Sequence, residues 1–201
     1  MIPHFLSISK AKNLISKSNK ILFNIATIKI CTETEGPFRR FAIWFQGCDI
    51  GCTGCCNPEC NPLIKMNLMN IDELMAVIEE SKTENGIEGV TFLGGEPTLQ
   101  SNLPELAKRI HQTGLGCILF TGHLIETLDR SIIENIDLIV DGKFDYKQLD
   151  TSRNMIGSKN QRIHDITGRY AKCINWFLSK RNYQIEICVN DGLIQFNGDV
   201  L

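Results

Sequence analysis

The period of apolar and polar positions changes several times along the chain, and each change marks an element. Ile21 to Cys31 alternates poorly but is rich in β-branched residues, which predicts a strand. After the turn signal Glu35-Gly36-Pro37, the continuous apolar run Phe41-Ala42-Ile43-Trp44-Phe45 has the length of a buried strand. Gly47 to Pro62 is crowded with Gly, Pro, Asn and Asp and predicts a loop. Asn70 then caps a helix, with Glu73 three residues on as its capping-box partner and Ile71, Leu74, Met75 and Ile78 on one face. That helix ends near Asn85-Gly86. Val90 to Leu93 is a short buried strand running into Gly94-Gly95-Glu96-Pro97. A helix over Leu103–Thr113 follows, with Gly114 as its C′ residue. Cys117 to Phe120 is the next strand, Ile125 to Asn135 the next helix, and Leu138 to Val140 a strand ending at Asp141-Gly142. Tyr146 to Ile166 is polar and aperiodic, a long loop of the kind that usually carries function. Tyr170 to Ser179 predicts a helix, and the tail a hairpin turning over Asn190-Asp191-Gly192.

Strands alternating with helices predict an α/β fold with a parallel sheet. The length of 201 residues fits one domain, here 21–201, preceded by a basic, loosely patterned N-terminal extension over 1–20. With 43% hydrophobic and 22% charged residues, the composition excludes wholesale disorder. A net charge of -2 leaves no electrostatic footprint for nucleic acid or an anionic membrane. The first twenty residues break every apolar stretch with Lys, Asn or Ser, and Ile21 to Ile30 contains Asn24, Thr27 and Lys29. A cytoplasmic, reduced protein with neither nucleic-acid nor membrane partner is expected.

Nine cysteines alter this plain picture. Cys48, Cys52, Cys55, Cys56 and Cys60 crowd into one loop, whereas Cys31, Cys117, Cys173 and Cys188 stand alone and read as buried small hydrophobes. Crowding of that kind suits a metal site better than a disulfide framework. Short spacers in Cys48-x3-Cys52-x2-Cys55 make three sulfurs converge, and Gly51 and Gly54 let the backbone fold tightly around what they hold. Two centres fit. Zinc needs a fourth ligand, which Cys60 could supply, whereas an iron-sulfur cube with three protein ligands leaves one iron open for a substrate. Cys56 and Cys60, in the near-repeat CNPECNP, are expected as exposed thiols beside the loop. His123 and His164 share no ligand spacing, and Arg39 and Arg40 read as surface residues.

The cysteine spacing resembles the signature of the radical S-adenosylmethionine (SAM) superfamily, and Gly94-Gly95-Glu96-Pro97 resembles that family's GGEP segment. Gln46-Gly47-Cys48, Gly54-Cys55-Cys56-Asn57-Pro58, Phe120-Thr121-Gly122, Val140-Asp141-Gly142-Lys143-Phe144 and Gly157-Ser158-Lys159-Asn160-Gln161-Arg162 resemble the activating proteins of anaerobic ribonucleotide reductase. The resemblance covers about Gly36 to Arg162. It implies a partial (βα) barrel with the cluster loop at the C-terminal ends of the strands. It also implies a 4Fe-4S cluster on Cys48, Cys52 and Cys55, and SAM held by Gly54, Cys56, Gly94, Gly95, Glu96, Asp141 and Lys143. Glycines there allow close approach and a carboxylate pairs with the methionine ammonium, while Asp141 and Lys143 stand as a D-x-K pair near the ribose and carboxylate. The implied partners are a flavodoxin- or ferredoxin-like electron donor and a large glycyl radical enzyme, the anaerobic ribonucleotide reductase.

Three departures stand out. Gly36-Pro37-Phe38 replaces the family's Gly-Pro-Gly, Cys56 replaces an aromatic residue, and the chain from about Tyr170 has no counterpart. They keep two rivals in view: a radical SAM maturase of a peptide or activase of another glycyl radical enzyme, and a non-catalytic zinc module.

Overall fold

The computed structural model describes residues 21–190 and 193–198, with the backbone alone for Cys188, Asn190, Leu193 and Gln195. The expected extension over 1–20, the Asp191-Gly192 part of the predicted turn and the Cys188 thiol lie outside the described residues. Nine strands are described: β1 (Leu22–Thr32), β2 (Arg40–Phe45), β3 (Asn67–Asn70), β4 (Gly89–Gly94), β5 (Gly116–Phe120), β6 (Leu138–Asp141), β7 (Arg162–Asp165), β8 (Ile185–Asn190) and β9 (Leu193–Gly198). The helices are α1 (Ile71–Asn85), α2 (Leu103–Gln112), α3 (Arg130–Ile133) and α4 (Ile174–Leu178).

Seven strands form one sheet in the order β3-β1-β2-β4-β5-β6-β7, and β8 and β9 form a separate antiparallel pair. Within the large sheet β2, β4, β5 and β6 run parallel, while β1, β3 and β7 pair antiparallel at the flanks. The expected α/β architecture is present, built as an open sheet with βα units at its centre.

Burial on both faces explains the continuous apolar runs of the central strands. Phe41, Ile43 and Phe45 of β2, Val90 and Phe92 of β4, and Leu119 of β5 face α1 and α2 in the larger core. The alternate residues face the other way. Ala42, Trp44 and Leu93 cluster with Cys60, and Ile118, Leu138 and Val140 meet Ile156, Tyr170 and Phe177. The C-terminal segment without a family counterpart therefore covers the second face of the sheet.

Arg40 corrects the expectation of a surface residue: its side chain is fully buried at the start of β2. Its guanidinium donates to Thr91 Oγ1 at 3.0 Å, to Tyr170 Oη at 2.6 Å and to the Val90 carbonyl at 2.6 Å. Gly89 and Gly116 make room for this network. A Cβ on Gly89 would stand 2.6 Å from Arg40 Nη1, and one on Gly116 would stand 2.4 Å from the Tyr170 hydroxyl.

The capping box at Asn70 forms as expected: its side chain accepts the Glu73 N–H at 2.9 Å and the Asn70 N–H donates to Glu73 Oε2 at 3.2 Å. Replacing Asn70 by alanine is expected to cost about 1 kcal/mol in urea unfolding, and a change indistinguishable from zero would remove the cap from the account. Other elements differ from the pattern. The helix foreseen over Ile125–Asn135 is only a 3-10 turn over Ile125–Thr127 and the four-residue α3, because Leu128 and Asp129 adopt extended backbone between them. Asp141 accepts the Ile125 N–H at 2.8 Å, where that turn starts. The foreseen loop after Tyr146 contains β7, and β3 is an edge strand of polar sequence. Among the described residues, no helix is long and apolar enough to cross a membrane.

Candidate metal centre

β2 runs directly into Gln46-Gly47-Cys48, and the cysteine loop is sewn back onto the sheet at both ends. Gly47 N donates to the Cys60 carbonyl at 2.8 Å, Cys48 N to the Asn61 carbonyl at 3.1 Å, and Gln46 Nε2 to the Pro62 carbonyl at 2.7 Å. The end of β4 joins the same knot, with Gly95 N on the Phe45 carbonyl at 2.9 Å and Glu96 N on the Gly47 carbonyl at 2.8 Å. A Cβ at Gly95 would lie 2.2 Å from Gly47 O, so only glycine admits this approach.

Gly51 and Gly54 take left-handed backbone at φ 61° and 73°, turning the chain sharply between the cysteines. Cys48, Cys52 and Cys55 are all half-buried. Burial raises the Cys52 thiol, the backbone of Phe144 and the charge of Lys143 oppose this, and the Cys55 and Cys48 thiols add to it. Cys55 Sγ accepts the Asn57 N–H at 3.4 Å. The loop is clipped to the ends of the neighbouring strands. Lys143 Nζ donates to the Ile50 carbonyl at 2.9 Å, His123 Nε2 lies 3.4 Å from Asp49 Oδ1, and Ile50 packs over Gly122. The three cysteines, Gly94 to Glu96, Thr121-Gly122 and Lys143 are therefore gathered at the C-terminal ends of β2, β4, β5 and β6.

Two thiols depart from expectation. Cys56 is exposed, as foreseen, but Cys60 is only 1% exposed and packs with Ala42, Trp44 and Leu93. Burial pushes its thiol up to about 12, with Glu59 and the neighbouring cysteines adding to the rise. Among the described residues, no three His, Cys, Asp or Glu side chains stand close enough to hold a single metal ion. Tetrahedral zinc requires sulfurs about 3.8 Å apart. Cys60, turned into an apolar cluster, is a poor fourth ligand for it. Of the lone cysteines, Cys117 is buried as expected, whereas Cys31 and Cys173 are only half-buried.

Glu96 is 1% exposed and latches β4 to β5. Oε1 accepts from Thr98 N at 3.0 Å, Thr98 Oγ1 at 2.7 Å and Thr121 Oγ1 at 2.8 Å, and Oε2 accepts Gly122 N at 2.9 Å. Asp141 is fully buried. It accepts from Arg162, from the Ile125 N–H at 2.8 Å, and lies 3.2 Å from His164 Nε2, which places His164 against a buried carboxylate instead of on a free surface. Of the D-x-K pair, Lys143 bonds to the loop, whereas Asp141 is bonded to Ile125, Arg162 and His164.

Burial alone would raise the Asp141 carboxyl, but Arg162, the Ile125 N–H and His164 outweigh it and hold it below the ordinary range. Asp137 and Asp150 are depressed likewise, against the same burial, by His111 and by Arg153 respectively. A carboxyl depressed by folding contributes stability that is complete above its unfolded value, about 3.9, and is lost as pH falls through the folded one. Unfolding free energy is therefore expected to decline below about pH 4. Asp141→Asn should flatten that acid limb in unfolding curves between pH 7 and 3; an unaltered limb would acquit Asp141.

A cavity of about 470 Å³ lined by Glu33, Phe38, Arg39, Glu88 and Trp176, among others, lies at the opposite end of the sheet and shares no residue with the loop. Comparison with known proteins bears on the loop itself. A family model described as "4Fe-4S single cluster domain" matches residues 34–164, which include all of the cysteine loop. The chain belongs to this family. Its cluster-binding character fits the donor set here, three half-buried thiols on a glycine-turned loop.

Relatives named anaerobic ribonucleoside-triphosphate reductase-activating protein bear out the resemblance seen in the sequence. That of Vibrio cholerae is 29% identical over 66% of this chain and 92% of that protein. That of Enterobacteria phage T4 is 28% identical over 70% and 92%, and that of Escherichia coli K12 is 26% identical over 66% and 92%. QueE from Escherichia coli, a solved structure, superposes with a TM-score of 0.47 at 16% identity, covering 63% of this chain and 74% of that one.

Proposed function

We propose that the chain is a radical SAM enzyme that installs a glycyl radical on an anaerobic ribonucleotide reductase. In this reading Cys48, Cys52 and Cys55 ligate a 4Fe-4S cluster with one open iron, and SAM binds beside it. Held by these thiolates, the cluster would supply the low-potential electron, drawn from a flavodoxin- or ferredoxin-like donor, for reductive cleavage of SAM and hydrogen abstraction from a backbone glycine of the partner.

The observation that carries the reading is the junction of the three-thiol loop with the Gly94–Glu96 turn, joined through Gly95 N to Phe45 O and Glu96 N to Gly47 O. Glu96 spends Oε1 on three donors and Oε2 on one. Oε2 takes only one of these donors, so in this reading it keeps a lone pair for the methionine ammonium. Lys143, already at the loop through Ile50 O, supplies the cation for the methionine carboxylate. In the same reading Gly94, Gly95, Gly54 and Cys56 would line the SAM site.

Anaerobic reconstitution with iron and sulfide, then dithionite and SAM, tests the proposal through 5′-deoxyadenosine release. Product is expected from the wild type and only background from Cys52→Ala. A reconstituted cluster without product, even with the reductase added, would leave a binding or electron-transfer role. Zinc in place of iron would overturn the reading. The second face covered by Tyr170 and Phe177, beyond the matched region, favours one alternative, an activase of another glycyl radical enzyme. A panel of such enzymes, scored for a stable radical by electron paramagnetic resonance, separates the two.

A further inference from the structure

The cavity of about 470 Å³ lies where β2 and β4 begin, at the end of the sheet away from the cysteine loop. Phe38 and Trp176 bring aromatic rings to it, Glu33 and Glu88 bring carboxylates, and Arg39 brings the one guanidinium among the described lining residues. Arg39 is already committed. Its Nε lies 3.1 Å from Glu33 Oε1, and its Nη1 donates to the Asn85 carbonyl at 3.3 Å. Glu88 has no ion-pair partner among the described residues, and its N–H on the Arg39 carbonyl at 2.8 Å fixes its backbone beside the cavity. Trp176 packs on the fully buried Phe177, with ring centroids 5.0 Å apart at 85°, which holds the indole in place.

Phe38 is the unusual member of the set. It keeps left-handed backbone at φ 65°, a conformation that disfavours a bulky side chain. Its ring nevertheless stays 55% exposed, so burial within the chain returns little of that strain.

We propose that this cavity binds a small organic amine, with the ammonium on Glu88 and the apolar body against Phe38 and Trp176. Two carboxylates against one guanidinium leave the site acidic, and an aromatic ring attracts a cation through its face, the indole most strongly. A carboxylate and an ammonium add a charge-assisted hydrogen bond. An anion such as phosphate finds no free cation here, because Arg39 is spent on Glu33. A bare metal ion is not accommodated either, since among the described residues no three His, Cys, Asp or Glu side chains stand close enough to hold one. The volume falls within the range of small-molecule sites, about 300–1,000 Å³. Phe38 and Glu88 lie within residues 34–164, whereas Trp176 and Gln184 lie beyond them. A bound amine therefore bridges the family domain and the C-terminal segment.

Isothermal titration of the full, anaerobically purified chain with spermidine tests this, at about 150 mM salt to screen nonspecific attraction between exposed charges. The control is 1,8-octanediol, a chain of similar length without the charge. One site with a dissociation constant below about 1 mM is expected for spermidine and none for the diol. Glu88→Gln and Phe38→Gly are each expected to weaken binding at least about 5-fold. Phe38→Gly should melt no lower than the wild type, because it releases the left-handed backbone. Both variants should keep the iron content and far-ultraviolet spectrum of the wild type, which separates lost binding from lost folding. No heat of binding up to about 10 mM spermidine overturns the proposal. So does binding that neither substitution weakens, or that the diol reproduces.

Discussion

Replacing Cys48, Cys52 or Cys55 singly by alanine is expected to reduce bound iron and sulfide to background and to lower 5′-deoxyadenosine formation by more than about 100-fold. Three thiolates on a four-iron cube leave one iron open and none of the three to spare. The discriminating comparison is with the other two thiols of the loop region. Cys56→Ser alters an exposed side chain whose neighbour is Asn57 Nδ2, and should retain iron. Cys60→Ser places a hydroxyl among Ala42, Trp44 and Leu93. It should cost about 1–3 kcal/mol in stability while iron loading survives. If Cys60→Ser were to strip the iron and Cys52→Ala to spare it, the ligand assignment would be wrong. Iron and sulfide analysis per chain gives the answer before any activity is measured.

Arg40→Ala is expected to cost about 3–5 kcal/mol, because it leaves a void in the second face and removes the donor shared by Thr91, Tyr170 and the Val90 carbonyl. Tyr170→Phe deletes one bond of the same network and should cost about 1–3 kcal/mol. For a domain of this size each kcal/mol lowers the melting temperature by about 2–4 °C. The double variant should be less destabilised than the sum of the singles, since both act on one contact. Full additivity would mean that Tyr170 and Arg40 do not interact. Because Tyr170 belongs to the segment beyond the matched region, the measurement also reports how firmly that segment belongs to the domain.

Elements whose local signals and packing agree were legible in the sequence. Asn70 and Glu73 announced α1, and the apolar runs announced β2, β4, β5 and β6 because those strands are buried on both faces. The cysteine spacing and the GGEP segment pointed to one candidate site, and the structure brings them to one end of the sheet. What escaped depends on contacts distant in sequence. Arg162 and His164 make β7 look like a charged loop, yet both serve the buried Asp141 across the sheet edge. Arg40 reads as a surface cation until Tyr170, 130 positions later, arrives to receive it. The Ile125–Asn135 pattern is helical in period but is interrupted where Leu128 and Asp129 adopt extended backbone. Cys60 looked exposed because its neighbours are polar, but the Gly47–Cys60 backbone bond draws it under the loop.

The strand order β3-β1-β2-β4-β5-β6-β7 bears on how the chain is made. β3 returns to β1 at one edge, whereas β4 joins β2 and β5, β6 and β7 each join the edge left by the strand before, so that side of the sheet can grow in the order in which the ribosome releases it. The knot between Phe45, Gly47, Cys60 and Glu96 needs nothing beyond residue 96. Tyr170 and Phe177, which close the second face, emerge more than seventy residues later. The contacts that tie the cysteine loop to the sheet are therefore all encoded before the residues that close the second face have been made.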